Sequence, residues 1–135
     1  MDVRPGVYNA SFFILSDKAR NNGTLSGIDV SLRSNLTSDI WCTSTIPISG
    51  TNISDFEWTQ YSAQLSNTAK APNSNNTFAI TFDASEVAGN TYYFGLVSLF
   101  PETYNNRPNG LRRDLAEAVK DLGTTFLRFP GGNNI

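Results

Sequence analysis

The chain has 135 residues, enough for one ordinary domain or for one domain and part of another, and 39% of them are apolar against 16% charged. That balance excludes a disordered segment and predicts a soluble fold, and no 18-residue apolar run is present to form a membrane-spanning helix. A net charge of −2, with 10 basic residues thinly spread, excludes nucleic acid and anionic membrane surfaces as electrostatic partners. Histidine is absent, which removes His-based triads, His-liganded zinc and imidazole proton transfer. Acid-base chemistry is left to carboxylates. Cys42 stands alone, so neither an intrachain disulfide nor a thiolate metal cluster supports the fold.

From Val7 to about Phe100 the apolar residues mostly follow a period of two, broken every 8 to 15 residues by Asn, Gly, Ser or Pro clusters. Tyr8, Ala10 and Phe12 line the inner face of a first expected strand. Ile28, Val30 and Leu32 alternate with Asp29, Ser31 and Arg33 in a second, which predicts one wet face. Ile40 to Ile48 and Phe56 to Leu65 supply two less regular strands, and Phe78, Ile80 and Phe82 mark another. Tyr92 to Phe100 is apolar on both faces. Six or so short antiparallel strands at this spacing predict a mostly β chain, with two sheets packed as a sandwich rather than a closed barrel.

Beyond Phe100 the period changes. Leu111, Leu115, Val119 and Leu122 recur at helical spacing with charges between them, Asn109 is the expected N-cap, and Gly123 is expected just past the end. Thr124 to Phe129 then reads as a buried strand, stopped by Pro130-Gly131-Gly132. A helix followed directly by a strand is half of an α/β repeat, which cannot bury its own apolar faces. The expected organisation is a sandwich over 1–95 and a piece of an α/β unit over 96–135.

Five N-x-S/T triplets start at Asn9, Asn22, Asn35, Asn52 and Asn75, none with proline in the middle. They predict a secreted glycoprotein, although an Asn- and Thr-rich chain also generates such triplets by composition alone. The amino terminus has neither the basic nor the apolar region of a signal peptide. The two features agree if the chain is an interior piece of a longer secreted protein.

Three features could carry chemistry. Arg128 to Asn134 sets a cation and amide side chains beside a glycine pair that allows a sharp bend, an arrangement suited to a polyhydroxylated ligand or to a structural arginine pairing across strands. Trp41, Trp58 and Tyr61 could form a platform for a sugar ring or fill the sandwich core. A glycosidase needs two placed carboxylates, yet Glu57, Asp83, Glu86, Asp114, Glu117 and Asp121 all read as outward or solvated, and only Glu102 lies near a chain reversal. Cys42 reads as a small buried hydrophobe.

The stretches Ser98-Leu99-Phe100-Pro101-Glu102-Thr103-Tyr104, Arg107-Pro108-Asn109-Gly110-Leu111-Arg112-Arg113-Asp114-Leu115 and Phe126-Leu127-Arg128-Phe129-Pro130-Gly131-Gly132-Asn133-Asn134 resemble fungal α-L-arabinofuranosidases of glycoside hydrolase family 51. Upstream, Arg4-Pro5-Gly6-Val7-Tyr8, Ser31-Leu32-Arg33-Ser34-Asn35, Glu57-Trp58-Thr59-Gln60-Tyr61 and Asn75-Asn76-Thr77-Phe78 are similar to the carbohydrate-binding-module-like sandwich inserted in those enzymes. The resemblance covers nearly the whole chain. It implies a (β/α)8 barrel with a retaining mechanism that uses two glutamates, one as acid/base and one as nucleophile, and no metal or organic cofactor. Both glutamates would lie downstream of this stretch, so the resemblance assigns no catalytic residue here and implies that the chain alone is inactive. It places Arg128 and Asn133 beside bound arabinose. The implied substrates are arabinan and arabinoxylan outside the cell. The resemblance leaves the oligomeric state unassigned. A stand-alone sugar-binding module and a purely structural sandwich are the competing readings.

Overall fold

Alternation of apolar and polar residues does organise the first 101 residues, and it does so around one central strand in each of two sheets. The computed structural model describes residues 1–17, 25–48, 57–108 and 110–126. The chain divides into two compact units, Met1–Pro101 and Glu102–Ile135.

In the first unit β1 (Gly6–Ser16) lies between β4 (Thr59–Asn67) and β6 (Tyr92–Pro101), and β2 (Gly27–Ser34) lies between β3 (Ile40–Pro47) and β5 (Asn76–Thr81). All four pairings are antiparallel. Tyr8, Ala10, Phe12 and Ile14 of β1 and Ile28, Val30 and Leu32 of β2 point inward and are buried, with Leu65, Val3, Leu25, Ile48 and Ala71 closing the core. This is the expected sandwich, and sheets that each carry one apolar face have to pack in this way. Ser31 departs from the expected wet face: it is 1% exposed, because Arg33 extends over it and donates from Nη2 to its hydroxyl at 2.8 Å.

Polar groups that the core traps are satisfied locally. The Tyr8 hydroxyl accepts from the Arg4 amide at 2.8 Å and donates to the Arg4 carbonyl at 3.1 Å, and the Asn67 amide donates to the Arg4 and Ala69 carbonyls. A short helix that the periodicity does not show, α1 (Ala84–Val87), follows β5; Asp83 caps it by accepting from the Ser85 amide and hydroxyl.

In the second unit the chain reverses through a 3-10 turn at Tyr104–Asn106, closed by a bridge between Thr103 and Arg112. Asn105 and Asn106 both adopt the left-handed region, at φ 56° and 53°, which asparagine tolerates better than most residues. A Cβ on Gly110 would stand 2.9 Å from the Arg107 carbonyl oxygen, so the reversal requires glycine there. The helix α2 runs Arg113–Asp121. The expected N-cap Asn109 lies outside the described residues, and the helix starts later, at Arg113. Arg112, still paired in extended conformation with Thr103, cannot yet be helical. Its end agrees with expectation: Gly123 has φ +61° and donates to the Lys120 carbonyl. The expected strand from Thr124 begins in residues that form no strand through Phe126 and continues outside the described residues.

Phe12 sits at the centre of the core, fully buried, its ring 6.3 Å from Tyr61 and 6.2 Å from Phe94. Replacing Phe12 with Ala is expected to cost about 3–5 kcal/mol of stability, read as a lower midpoint in urea unfolding followed by circular dichroism.

Candidate functional site

The three aromatic residues singled out in the sequence do not share a surface. Tyr61 pairs with Phe12 in the β1–β4 register, points inward and stacks on it. Trp41 is half-buried against the core, and its indole N–H donates at 2.8 Å to the side-chain carbonyl of Asn76. Both belong to the packing. The core reading therefore holds for Tyr61 and Trp41, and of the three only Trp58 remains as a surface ring, 49% exposed at the entry to β4.

Trp58 belongs to the outer face of the β4–β1–β6 sheet. The position of a Cβ on Gly95 would be 3.4, 3.6 and 3.8 Å from three adjacent carbons of its six-membered ring. Near-equal distances to adjacent ring atoms mean that the ring presents its flat face, not an edge, to the glycine. Gly95 lies opposite Phe13, which lies opposite Gln60. One residue pair further along, Leu15 faces Tyr93, and toward the other end Ser62, Ser11 and Ser98 align across the three strands. Ser11 and Ser98 hydrogen-bond through their hydroxyls at 2.8 Å. Asn9, Gln64 and Phe100 complete the face, with Gln64 donating to Asn9 at 3.1 Å. None of the three strands contains Asp, Glu, Lys or Arg, so this surface carries no charge from them. Gly95 is a site residue that sequence reading passed over, although a glycine inside an apolar strand is a signal of close approach by another group.

Asn76 was also missed. It is 5% exposed, accepts from Trp41, and donates from its amide nitrogen to the Met1 and Asn73 carbonyls. No periodicity marks such a residue, because its role depends on chain segments distant in sequence.

The carboxylates take structural roles. Asp83 caps α1, and its carboxyl is held below the usual range, first by the Ser85 hydroxyl and then by the Ser85 amide. Glu86 accepts from the Ser26 amide, Asp114 is held by Arg112, and Glu117 pairs with Arg113 one helical turn away at 3.0 Å. Glu102 is exposed beside the Thr103–Arg112 reversal. Arg128 and Asn133 lie outside the described residues, as do Asn22 and Asn52. Asn9, Asn35 and Asn75 are exposed, and Asn35 donates to the Asn75 side chain at 3.1 Å, so two of the acceptor sequences stand side by side.

Cys42 is buried opposite Leu32, and burial pushes its thiol upward, partly offset by the Leu32 backbone hydrogen bond. Burial also raises Tyr61 and Tyr92.

No family model matches the chain. Over 128 residues, 95% of the chain, it is 38% identical to α-L-arabinofuranosidase A of Aspergillus niger, covering 19% of that protein. The same identity and coverage hold for α-L-arabinofuranosidase A of Aspergillus kawachii. Among solved structures, an arabinose-bound GH51 α-L-arabinofuranosidase superposes with a TM-score of 0.84 at 38% identity, over 99% of this chain and 21% of that one. With the sandwich in place and this match along its length, the chain is homologous to part of a glycoside hydrolase. More narrowly, it matches a fragment of a fungal family 51 α-L-arabinofuranosidase, spanning 19% of the curated relatives above.

Two outcomes test this packing. Asn76→Ala is expected to cost about 1–3 kcal/mol, because it leaves the half-buried Trp41 N–H and two carbonyls without this partner; chemical unfolding measures the loss. Below the free-group values of 9.0 for Cys42 and 10.0 for Tyr61 their contribution to stability is fully present, and it is lost as pH rises through their raised values. Thermal melts are therefore expected to hold steady near neutrality and fall above pH 9, and iodoacetamide at pH 8 is expected to modify Cys42 only after unfolding.

Proposed function

We propose that the chain is the part of a secreted, retaining α-L-arabinofuranosidase that carries an accessory β-sandwich and the opening of a catalytic (β/α)8 barrel. The whole enzyme removes terminal non-reducing α-L-arabinofuranosyl residues from arabinan or arabinoxylan, releasing arabinose for catabolism. The observation that carries this reading is the match along almost the entire chain, at 38% identity, to enzymes of that activity, one of them with arabinose bound.

The geometry supports it in two ways. Leu115 and Val119 of α2, with Leu111 and Leu122 flanking it, are between 52% and 75% exposed, and an amphipathic helix in a barrel buries such a row against its neighbours. Among the described carboxylates Asp83 caps α1, Glu86 accepts from a backbone amide, and Asp114 and Glu117 pair with arginines, which agrees with both catalytic glutamates being supplied by further chain. In this reading Arg128, before Pro130-Gly131-Gly132, and Asn133 after it are the residues assigned to arabinose, a charged fork and an amide suited to sugar hydroxyls. The N-x-S/T triplets that start at Asn9, Asn22, Asn35, Asn52 and Asn75 fit a protein that works outside the cell on plant cell-wall polysaccharide.

The test is hydrolysis of 4-nitrophenyl α-L-arabinofuranoside. A chain extended to the length of the relatives is expected to turn it over with retention at the anomeric carbon, and the 135 residues alone are expected to be inactive. In the extended protein Arg128→Ala is expected to lower kcat/KM by about 10²–10³. Turnover by the 135-residue chain, or an extended enzyme silent on this substrate, overturns the proposal.

A further inference from the structure

We propose that the outer face of the β4–β1–β6 sheet, centred on Trp58 lying flat over Gly95, is a stacking platform for an uncharged oligosaccharide. It takes from the arabinofuranosidase reading only the chemistry of the ligand, and its residues do not include Arg128 or Asn133.

Four observations converge on such an occupant. Trp58 is 49% exposed while one ring face is set against Gly95, so the other face is presented to solvent in a fixed orientation. A large apolar ring held open in this way loses little conformational freedom when a ligand covers it, and the apolar face of a sugar ring is flat enough to do so. Tyr93, 47% exposed, stands on the same face one residue pair from Gly95, which gives a second aromatic side chain for a neighbouring sugar unit.

The polar groups on the face discriminate between a sugar and a protein partner. Gln60 lies beside the aromatic end, and Ser62, Ser11 and Ser98 cross the middle of the sheet. An apolar protein surface laid over them would strip water from amide and hydroxyl groups without replacing its hydrogen bonds, at a cost for each group. A saccharide carries hydroxyls at its rim that pair with those groups while its ring covers the indole. The absence of acids and bases from the strands' outward positions, in a chain with 22 charged residues given by 10 basic and 12 acidic, matches a neutral ligand and gives no purchase for an anionic one.

Affinity gel electrophoresis of the full 135-residue chain, with soluble arabinoxylan, debranched arabinan or polygalacturonate cast in the gel, tests this. At least one neutral polymer is expected to retard the chain, and polygalacturonate is expected to retard it less. Trp58→Ala is expected to weaken retardation at least tenfold. Gly95→Ala leaves the ring at van der Waals distance and is expected to change little, whereas Gly95→Val pushes it out of place and is expected to act like Trp58→Ala. Thr45→Ala, on the second sheet, is the control and is expected to behave as the parent. Circular dichroism and urea midpoints establish that each variant is folded; if Gly95→Val is not, the half-exposed Trp58→Ala decides the matter. The proposal is overturned by a chain that neither neutral polymer retards, by retardation that survives Trp58→Ala, or by preferential binding of polygalacturonate. Because the readout is binding by this chain and not hydrolysis by the extended enzyme, either reading can fail while the other stands.

Discussion

The strict alternation of β1 is the constraint on which the first unit rests. Phe12 points into the core and meets Tyr61 and Phe94, while Phe13, its neighbour, points out between Gln60 and Gly95. Hydrogen bonds on both edges hold that strand in register with β4 and β6 at once. A slip of one residue would carry Tyr8, Ala10, Phe12 and Ile14 outward and bring Asn9 and Ser11 into the core along with Val7, Phe13 and Leu15, so the filling of the core and the placement of the outer face are one decision. The second sheet repeats the logic through β2, with Ile28, Val30 and Leu32 inward.

Elements whose physics is local were legible in the sequence. Period two announced β1, β2 and β5, and glycine at position 123 announced the end of α2 through its left-handed backbone. Features that depend on contacts between distant segments were not. Trp41, Trp58 and Tyr61 look alike as sequence, yet Asn76, Gly95 and Phe12 respectively send them to three different environments. The start of α2 was misplaced because pairing of Arg112 with Thr103 delays helix formation, a tertiary constraint that propensity does not contain. Ser31 was placed in water by its position in the alternation, and the overlying Arg33 removed it. Of the candidate site, the Trp58–Gly95 contact was not legible, because it joins residues 37 positions apart.

The two units differ in how far they satisfy their own apolar surface. The first has a closed core of aliphatic and aromatic side chains from both sheets, with buried polar groups such as Asn67 and Asn76 fully engaged. In the second, Ala116 is the one buried hydrophobic residue of α2, while the helix surface is held by charge pairs such as Arg113–Glu117. Exposed pairs of that kind contribute little to stability, so the helix draws most of its support from whatever buries its leucine row. That contrast is what relates the chain to a segment of a larger fold more than to an independent two-domain protein.

One irregularity of β6 bears on solubility. Between Phe13 and Ser11 the partner strand advances from Gly95 to Ser98, one residue too many, and Leu96 absorbs the excess at φ +48° with 81% of its surface exposed. A leucine held in that region is strained, so the bulge is maintained by the pairing on either side of it. Among the described residues β6 pairs only with β1 and is otherwise an apolar ribbon, the kind of margin that recruits a second copy into a growing fibril. The kink breaks the row of outward amides and carbonyls at its midpoint, so an incoming strand can zip along neither half for more than a few residues.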